Sequence, residues 1–327
     1  MITVAERAAD APDVVTFGES MLLLRAETGV PLRAATWFQR DVAGAEGNVA
    51  VGLARLGHRV RFVLRVGDDP FGPVVVAAYR AEGIDVVPIF DPQRATGVLI
   101  RDVLADRPIE VVYHRASSAA TALAPGDVPA ELIAAARLLH VTGITPVLSD
   151  SAAETTYAAV DAARASGTVV SFDPNLRRRL TAPDTARQRW LPIVDRAAIV
   201  LAGVDEAEIL TRVDGADRRR TAAWFHERGV TTVVIKDGPA GCWASDGGDL
   251  LDQPAMPVVV VDPVGAGDAF AAGLLSSVLD GADLAQAVLA GAAVGARCVQ
   301  VAGDLAGLPT RVELDQLLGG YRDHISR

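Results

Sequence analysis

A chain of 327 residues with two cysteines, one lysine and few aromatic residues excludes several kinds of protein at the outset. Cys242 and Cys298 lie far apart in apolar surroundings and form no CxxC or metal-ligand spacing. Neither a disulfide framework nor a zinc site is expected, and a reducing compartment is. The five histidines, His58, His114, His140, His226 and His324, show no HExxH or paired spacing, so no protein-bound transition metal is expected. Nowhere does the chain approach the ~18 consecutive apolar residues of a membrane span. Its start, MITVAERAADAPDVVTFGE, is acidic and has no apolar core of the kind a secretory leader carries. A cytoplasmic location without a membrane partner is the expectation. The single lysine, Lys236, stands against thirty arginines, and the formal net charge is −10. Nucleic acid and anionic membranes reward clustered lysine and arginine, so neither is expected as a partner. An anionic ligand has to meet local basic residues instead.

What the chain does have is apolar bulk: half of it is hydrophobic, enough for a large core without staples. Short β-rich runs over 14–17, 59–66, 138–141, 168–172, 198–201, 231–235 and 256–261 read as buried strands. Amphipathic segments over 45–56, 71–81 and 151–165 lie between some of them and stop at Gly57, Gly83 and Gly167, where a helix C-terminus favours glycine. This alternation predicts an α/β fold with a mainly parallel sheet. Residues 19–40 and 86–114 break the rhythm, the second with turn signals at AspProGln and at AlaAspArgPro (105–108). They are expected to form a small β-layer outside the main sheet, inserted as a lid within one domain spanning 1–327.

The stretch DPVGAGDAFAAG (262–273) places two glycines and a carboxylate where an apolar run hands over to a helix. Unpaired N–H groups at a helix start, together with the positive end of the helix dipole, make an anion cradle, and Gly265 and Gly267 let the backbone approach closely. Asp268 would repel a bound phosphate unless both serve one transfer. In that reading Asp268 accepts the proton of a substrate hydroxyl while the amides hold the charge developing on a phosphoryl group. The alternative is a carboxylate that only caps the helix, and GAGD by itself leaves the two close to even.

A second glycine-rich element, VAGAEGNVAVGLARLGHRVRFVLRVG, lies near the start. The two stretches resemble, in order and spacing, the two signatures of the ribokinase-like (PfkB) family of sugar kinases. No GxxxxGK followed by Ser or Thr occurs, which excludes a P-loop kinase. The resemblance implies a three-layer αβα sandwich with a small β-sheet lid, and ATP and Mg2+ as cofactors. It assigns Asp268 as catalytic base, the amides of Gly265, Ala266 and Gly267 as anion hole, and Gly44, Ala45 and Asn48 as the grip on sugar hydroxyls. Glu206 in AGVDEAEIL matches the glutamate of the NxxE motif, which acts on magnesium through water; the asparagine position is Gly203 here. A solvated helix carboxylate is the plainer reading of Glu206. The turn VVIKDGPAGCWA faces the nucleotide in the family, so Lys236, Gly238 and Gly241 are expected there, Lys236 on the ATP phosphates or paired with Asp237. The small residues of AGAAVGARCVQVAGDLAGLPT resemble the adenine-side helix and loop, where they leave room for a flat base.

YHRASSAATALAP, LHVTGITPVLS and SFDPNLRRRL resemble more narrowly the branch of the family that phosphorylates 2-keto-3-deoxygluconate. That resemblance assigns Tyr113, Arg115 and Arg177 to an acid sugar, phosphorylated on its terminal hydroxyl. Chemistry agrees, since a carboxylate substrate needs guanidinium partners. Leu99 departs, standing where that branch has a lid tyrosine. A fructokinase or ribokinase is the alternative within the class, and a catalytically silent nucleotide or sugar sensor the alternative outside it. Pairing of two copies through the lid is left open.

Overall fold

A computed structural model describes residues 4, 7, 10–104 and 109–325. The turn expected over 105–108 lies outside the described residues. In chain order the strands are β1 (Val14–Gly18), β2 (Met21–Ala26), β3 (Phe38–Ala43), β4 (Val60–Gly67), β5 (Asp85–Asp91), β6 (Gly97–Arg101), β7 (Val111–His114), β8 (Leu138–Thr142), β9 (Val169–Asp173), β10 (Ile199–Gly203), β11 (Thr232–Lys236), β12 (Cys242–Ser245) and β13 (Leu251–Gln253). They form two sheets: a nine-stranded one in the order β13-β12-β11-β10-β9-β8-β1-β4-β5, and a four-stranded one in the order β3-β2-β6-β7. From β5 to β11 the large sheet is parallel, and β12 and β13 add an antiparallel edge.

Both faces of the large sheet are covered, which is why its strands read as continuous apolar runs rather than as alternating ones. Val14 packs on one face with Phe62, Leu138 and Leu201, beneath Ala269 and Leu274 of the helix Ala266–Leu279. Val15 and Phe17 pack on the other with Phe172 and Trp190. Successive residues of a strand point to opposite faces, so one five-residue strand serves two cores. The result is the αβα sandwich.

Two expectations are corrected. Residues 256–261 form no strand: β13 already closes the edge of the sheet, and Val259 is 81% exposed. Only Val261 and Asp262 donate their N–H groups, both to the Val299 carbonyl. Within 86–114, the first strand does not belong to the small sheet. The helix Gly72–Ala81 carries the chain back from β4, so β5 pairs in parallel with β4 at the edge of the large sheet. β6 and β7 do join β2 and β3.

The chain leaves the large sheet for the small one between Gly18 and Met21, and Tyr79 holds that point. Its buried hydroxyl bonds the Ser20 hydroxyl at 2.7 Å, and its ring meets Phe62 edge-on. Tyr79→Phe leaves the buried Ser20 hydroxyl without this partner, and the expected loss is about 1–3 kcal/mol. Urea unfolding should show a lower midpoint at unchanged slope; an unchanged midpoint would remove Tyr79 as a pin.

Candidate active site

Ligands of open α/β sheets collect beyond the C-terminal ends of the strands. Here β9 ends on Asp173, β10 on Gly203 and β11 on Lys236. Above them a cavity of about 390 Å³ is lined from below by these three residues, Glu206, Asn175 and Arg177, and from the helix start by Gly265, Ala266, Gly267 and Asp268. The small sheet closes it with Leu99, Arg101, Val111 and Tyr113. A second cavity adjoins, sharing Gly203, Glu206 and Lys236 and reaching Asp237 and Gly238.

The helix Ala266–Leu279 starts at Gly265, whose φ of +82° suits glycine. The first intrahelical bond runs from the Ala269 N–H to the Gly265 carbonyl, and no side chain caps the start. The N–H groups of Gly267 and Asp268 are therefore offered to the cavity side, as an anion hole needs, whereas that of Ala266, expected among them, already donates to the Pro263 carbonyl at 3.4 Å. Asp268 is buried, and two amides grip its carboxylate. Asn48 Nδ2 donates to Oδ2 at 2.8 Å, and Asn175 Nδ2 to Oδ1 at 3.1 Å. Burial pushes the pKa up to about 7, against the pull of Arg177 and of the Asn48 hydrogen bond. A carboxylate near neutrality is matched to general-base work.

Asn48 thus reaches the base itself, from a helix, Ala45–Arg55, whose start is pressed on the chain before β2. A Cβ on Gly44 would sit 2.3 Å from the Glu19 carbonyl oxygen, so no side chain fits there. Gly44 and Ala45 do not line the two cavities. Asn175 was not picked out from the sequence, although DPN was. Its φ of +45° is one that asparagine tolerates, and its N–H donates to Asp173 Oδ1 at 3.1 Å, turning the amide toward Asp268.

Lys236 does not pair with Asp237. Its ammonium donates to Asp173 Oδ2 at 2.5 Å and lies 3.6 Å from where a Cβ of Gly267 would be, beside the anion hole. Burial works against its charge, but Asp173 and Glu206 outweigh it and hold the pKa above the usual lysine value. Glu206 is no solvated carboxylate. Its Oε2 accepts the Gly203 N–H at 2.6 Å and its Oε1 the Leu176 N–H at 2.7 Å. Burial first, then Asp173, raises its pKa against the pull of Lys236. An ionised carboxyl keeps further lone pairs beyond these two, so Glu206, on the wall of both cavities, fits a water-mediated contact to Mg2+ carried on a triphosphate. A Cβ on Gly203 would make only ordinary contacts, so packing does not force the missing asparagine.

Of the three residues assigned to an acid sugar, Tyr113 lines the cavity beside Leu99, its register partner on β6. Arg177 lines it too; its guanidinium donates only to the Leu176 carbonyl, at 3.5 Å, and pairs with no carboxylate among the described residues. Arg115 is placed differently, stacked near the Tyr113 ring and ion-paired with the buried Glu19. Gly238 borders the second cavity, while Gly241, at φ +97°, turns the chain into β12. The small residues after Ala290 serve packing: a Cβ on Gly291 would lie 2.9 Å from the Phe270 carbonyl oxygen, where two helices touch.

A helix start with open N–H groups, a buried carboxyl and an ammonium at the ends of parallel strands fit a phosphotransferase of the ribokinase-like class. The chain belongs to the pfkB family of carbohydrate kinases: the family described as pfkB family carbohydrate kinase matches residues 11–311. It is 37% identical over 322 residues to a 2-dehydro-3-deoxygluconokinase of Bacillus subtilis, covering 95% of this chain and 96% of that one. Fructokinase-1 of rice (Oryza sativa subsp. japonica) is 32% identical over 316 residues, covering 93% and 97%. The structure of 2-dehydro-3-deoxygluconokinase from Thermotoga maritima superposes with a TM-score of 0.85 at 27% identity, over 94% of this chain and 98% of that one. A structure from E. coli in complex with ATP and Mg2+ shares the fold, with a TM-score of 0.86 at 24% identity over 94% of this chain and 99% of that one.

The raised pKa of Asp268 has a consequence for stability. Between its unfolded value of 3.8 and about 7, the folded chain holds a proton that the unfolded chain has lost. Stability is therefore fully kept below pH 3.8 and declines as pH rises through 7. Asp268→Asn removes this term, so its stability relative to the parent should grow by an order of 2–3 kcal/mol between pH 5 and pH 8. Parallel melting-temperature profiles of the two proteins over that range would contradict a buried, raised carboxyl.

Proposed function

We propose that this kinase phosphorylates the terminal hydroxyl of a sugar acid, 2-keto-3-deoxygluconate (also called 2-dehydro-3-deoxygluconate) or a close relative, in the cytoplasm. ATP supplies the phosphoryl group and brings Mg2+. Asp268 accepts the proton of the attacking hydroxyl, and burial makes it basic enough to do so near neutral pH. The amides of Gly267 and Asp268, with Lys236, meet the negative charge of the group in flight. Glu206 orients water on the metal. Asn48 and Asn175 hold the base in line, and the small sheet acts as a lid that excludes water over the sugar. Trp37, Phe38 and Val112 are exposed on or beside that sheet, a surface on which a second copy would fit.

The observation that carries the substrate assignment is the guanidinium of Arg177, exposed at the wall of the cavity that also holds Asp268 and without a carboxylate partner among the described residues. A carboxylate substrate supplies the partner it lacks. The names of the relatives from Bacillus subtilis and Thermotoga maritima support the same choice. One observation favours a neutral ketose instead: Arg115 is already neutralised by Glu19, and Leu99 offers no hydroxyl.

A coupled assay over sugars and sugar acids decides between them. We expect kcat/KM for 2-keto-3-deoxygluconate to exceed those for fructose and ribose. Arg177→Ala should raise KM for the acid about tenfold or more, the weight of a charge-assisted hydrogen bond, and leave that for fructose nearly unchanged. Asp268→Asn should lower kcat by ~10²–10⁴ with nucleotide affinity kept. A wild type that prefers fructose overturns the acid assignment, and an Asp268→Asn variant with undiminished turnover overturns the base.

A further inference from the structure

The lid carries a charge that sugar recognition does not use. Arg101, at the end of β6, is buried, and its Nη2 donates to Asp262 Oδ2 and to Asp304 Oδ1, both at 2.8 Å. Both carboxylates are buried as well, and each belongs to a loop that frames the start of the helix Ala266–Leu279. Asp262 Oδ1 accepts the Val264 N–H at 3.2 Å, and Oδ2 the Gly303 N–H at 2.9 Å. The backbone of Asp304 presses on Gly265, where an added Cβ would lie 3.0 Å from its carbonyl oxygen. One guanidinium from the small sheet thus ties together the two loops on which the anion hole rests. Nε and Nη1 of Arg101 are buried without a partner among the described residues, an arrangement that costs stability and that packing alone does not call for.

We infer that Arg101 is a positioning residue for phosphoryl transfer: through Asp262 and Asp304 it fixes the helix start at Gly265 and with it the N–H groups of Gly267 and Asp268, so that the anion hole is in register only while the lid strand is in place. This rests on the kinase reading of the site. Arg101 lies on the wall of the same cavity, but its guanidinium is spent on Asp262 and Asp304 and pairs with none of Asp268, Arg177 and Arg115. Its effect falls on charge that develops in the transition state, and so on kcat rather than on the KM of the sugar. Without the guanidinium, two carboxylates face each other in a buried site shaped for a planar cation.

The test is steady-state kinetics on the full chain with whichever sugar the wild type turns over fastest, so that a wrong substrate is detected separately. Arg101→Ala is expected to lower kcat by about 10–100-fold, the range for a misplaced catalytic group, with the KM of the sugar changed less than about twofold. Guanidinium chloride at sub-denaturing concentration should restore several-fold of the lost kcat in Arg101→Ala and none in the wild type. Arg101→Lys, which keeps the charge, should fall between the two. Should Arg101→Ala fail to fold, Arg101→Met/Asp304→Asn removes the cation with one of its two carboxylates and should show the same split between kcat and KM. A folded variant of either kind with wild-type kcat, or one whose loss lies wholly in the KM of the sugar, overturns the inference. Absence of kinase activity in the wild type on every sugar tested would overturn the reading beneath it.

Discussion

The carboxyl of Asp268 sits in the first turn of a buried helix, away from water, between two amide side chains. A carboxylate placed there is costly to ionise, because burial disfavours the charge more than the neighbouring cation and amides favour it. Much of the site compensates for that. Asn48 comes from the helix that follows β3 and Asn175 from the turn after β9, and Arg177 adds a positive field. Together they leave the group half-ionised near pH 7, where it can both give up and take a proton.

Around this carboxyl, opposite charges are paired so that each one stays available. Lys236 is balanced by Asp173 beside the anion hole, and Arg101 by Asp262 and Asp304 behind it. Glu206 is held by two backbone N–H groups rather than by a cation, which keeps it in place while its remaining lone pairs stay free. Of the cations named here, Arg177 alone has no carboxylate partner among the described residues. Buried pairs of this kind add little to net stability. Their value is in fixing geometry, since a displaced amide or ammonium beside a transferring phosphoryl group is felt directly in the rate.

Local signals were legible in the sequence. β-branched runs marked seven strands, six of which form, and GAGD marked the helix start and its buried carboxyl. The run at 256–261 misled because four consecutive valines look buried, yet the sheet had no position left for them. β5 was missed as part of the large sheet because its turn residues drew attention from the helix Gly72–Ala81 that makes it a parallel crossover. Pairings across the chain left no local trace. Asn48 and Asp268 are 220 residues apart, and Arg101 is 161 and 203 residues from its two partners. Asn175 had a signal, an asparagine in a turn at a strand end, but its target became visible only once the fold brought Asp268 opposite. The single lysine stands out in the sequence by its rarity, and the fold places its ammonium on Asp173 beside the start of the helix Ala266–Leu279.

The central claim is that one buried aspartate titrates near neutral pH, and infrared difference spectroscopy on protein carrying 13C-labelled aspartate measures it directly. Subtracting the Asp268→Asn spectra isolates the carboxyl of interest. The account predicts a protonated carboxyl band that disappears with a midpoint of about 7. A midpoint below about 5, in the range of ordinary aspartates, would contradict it.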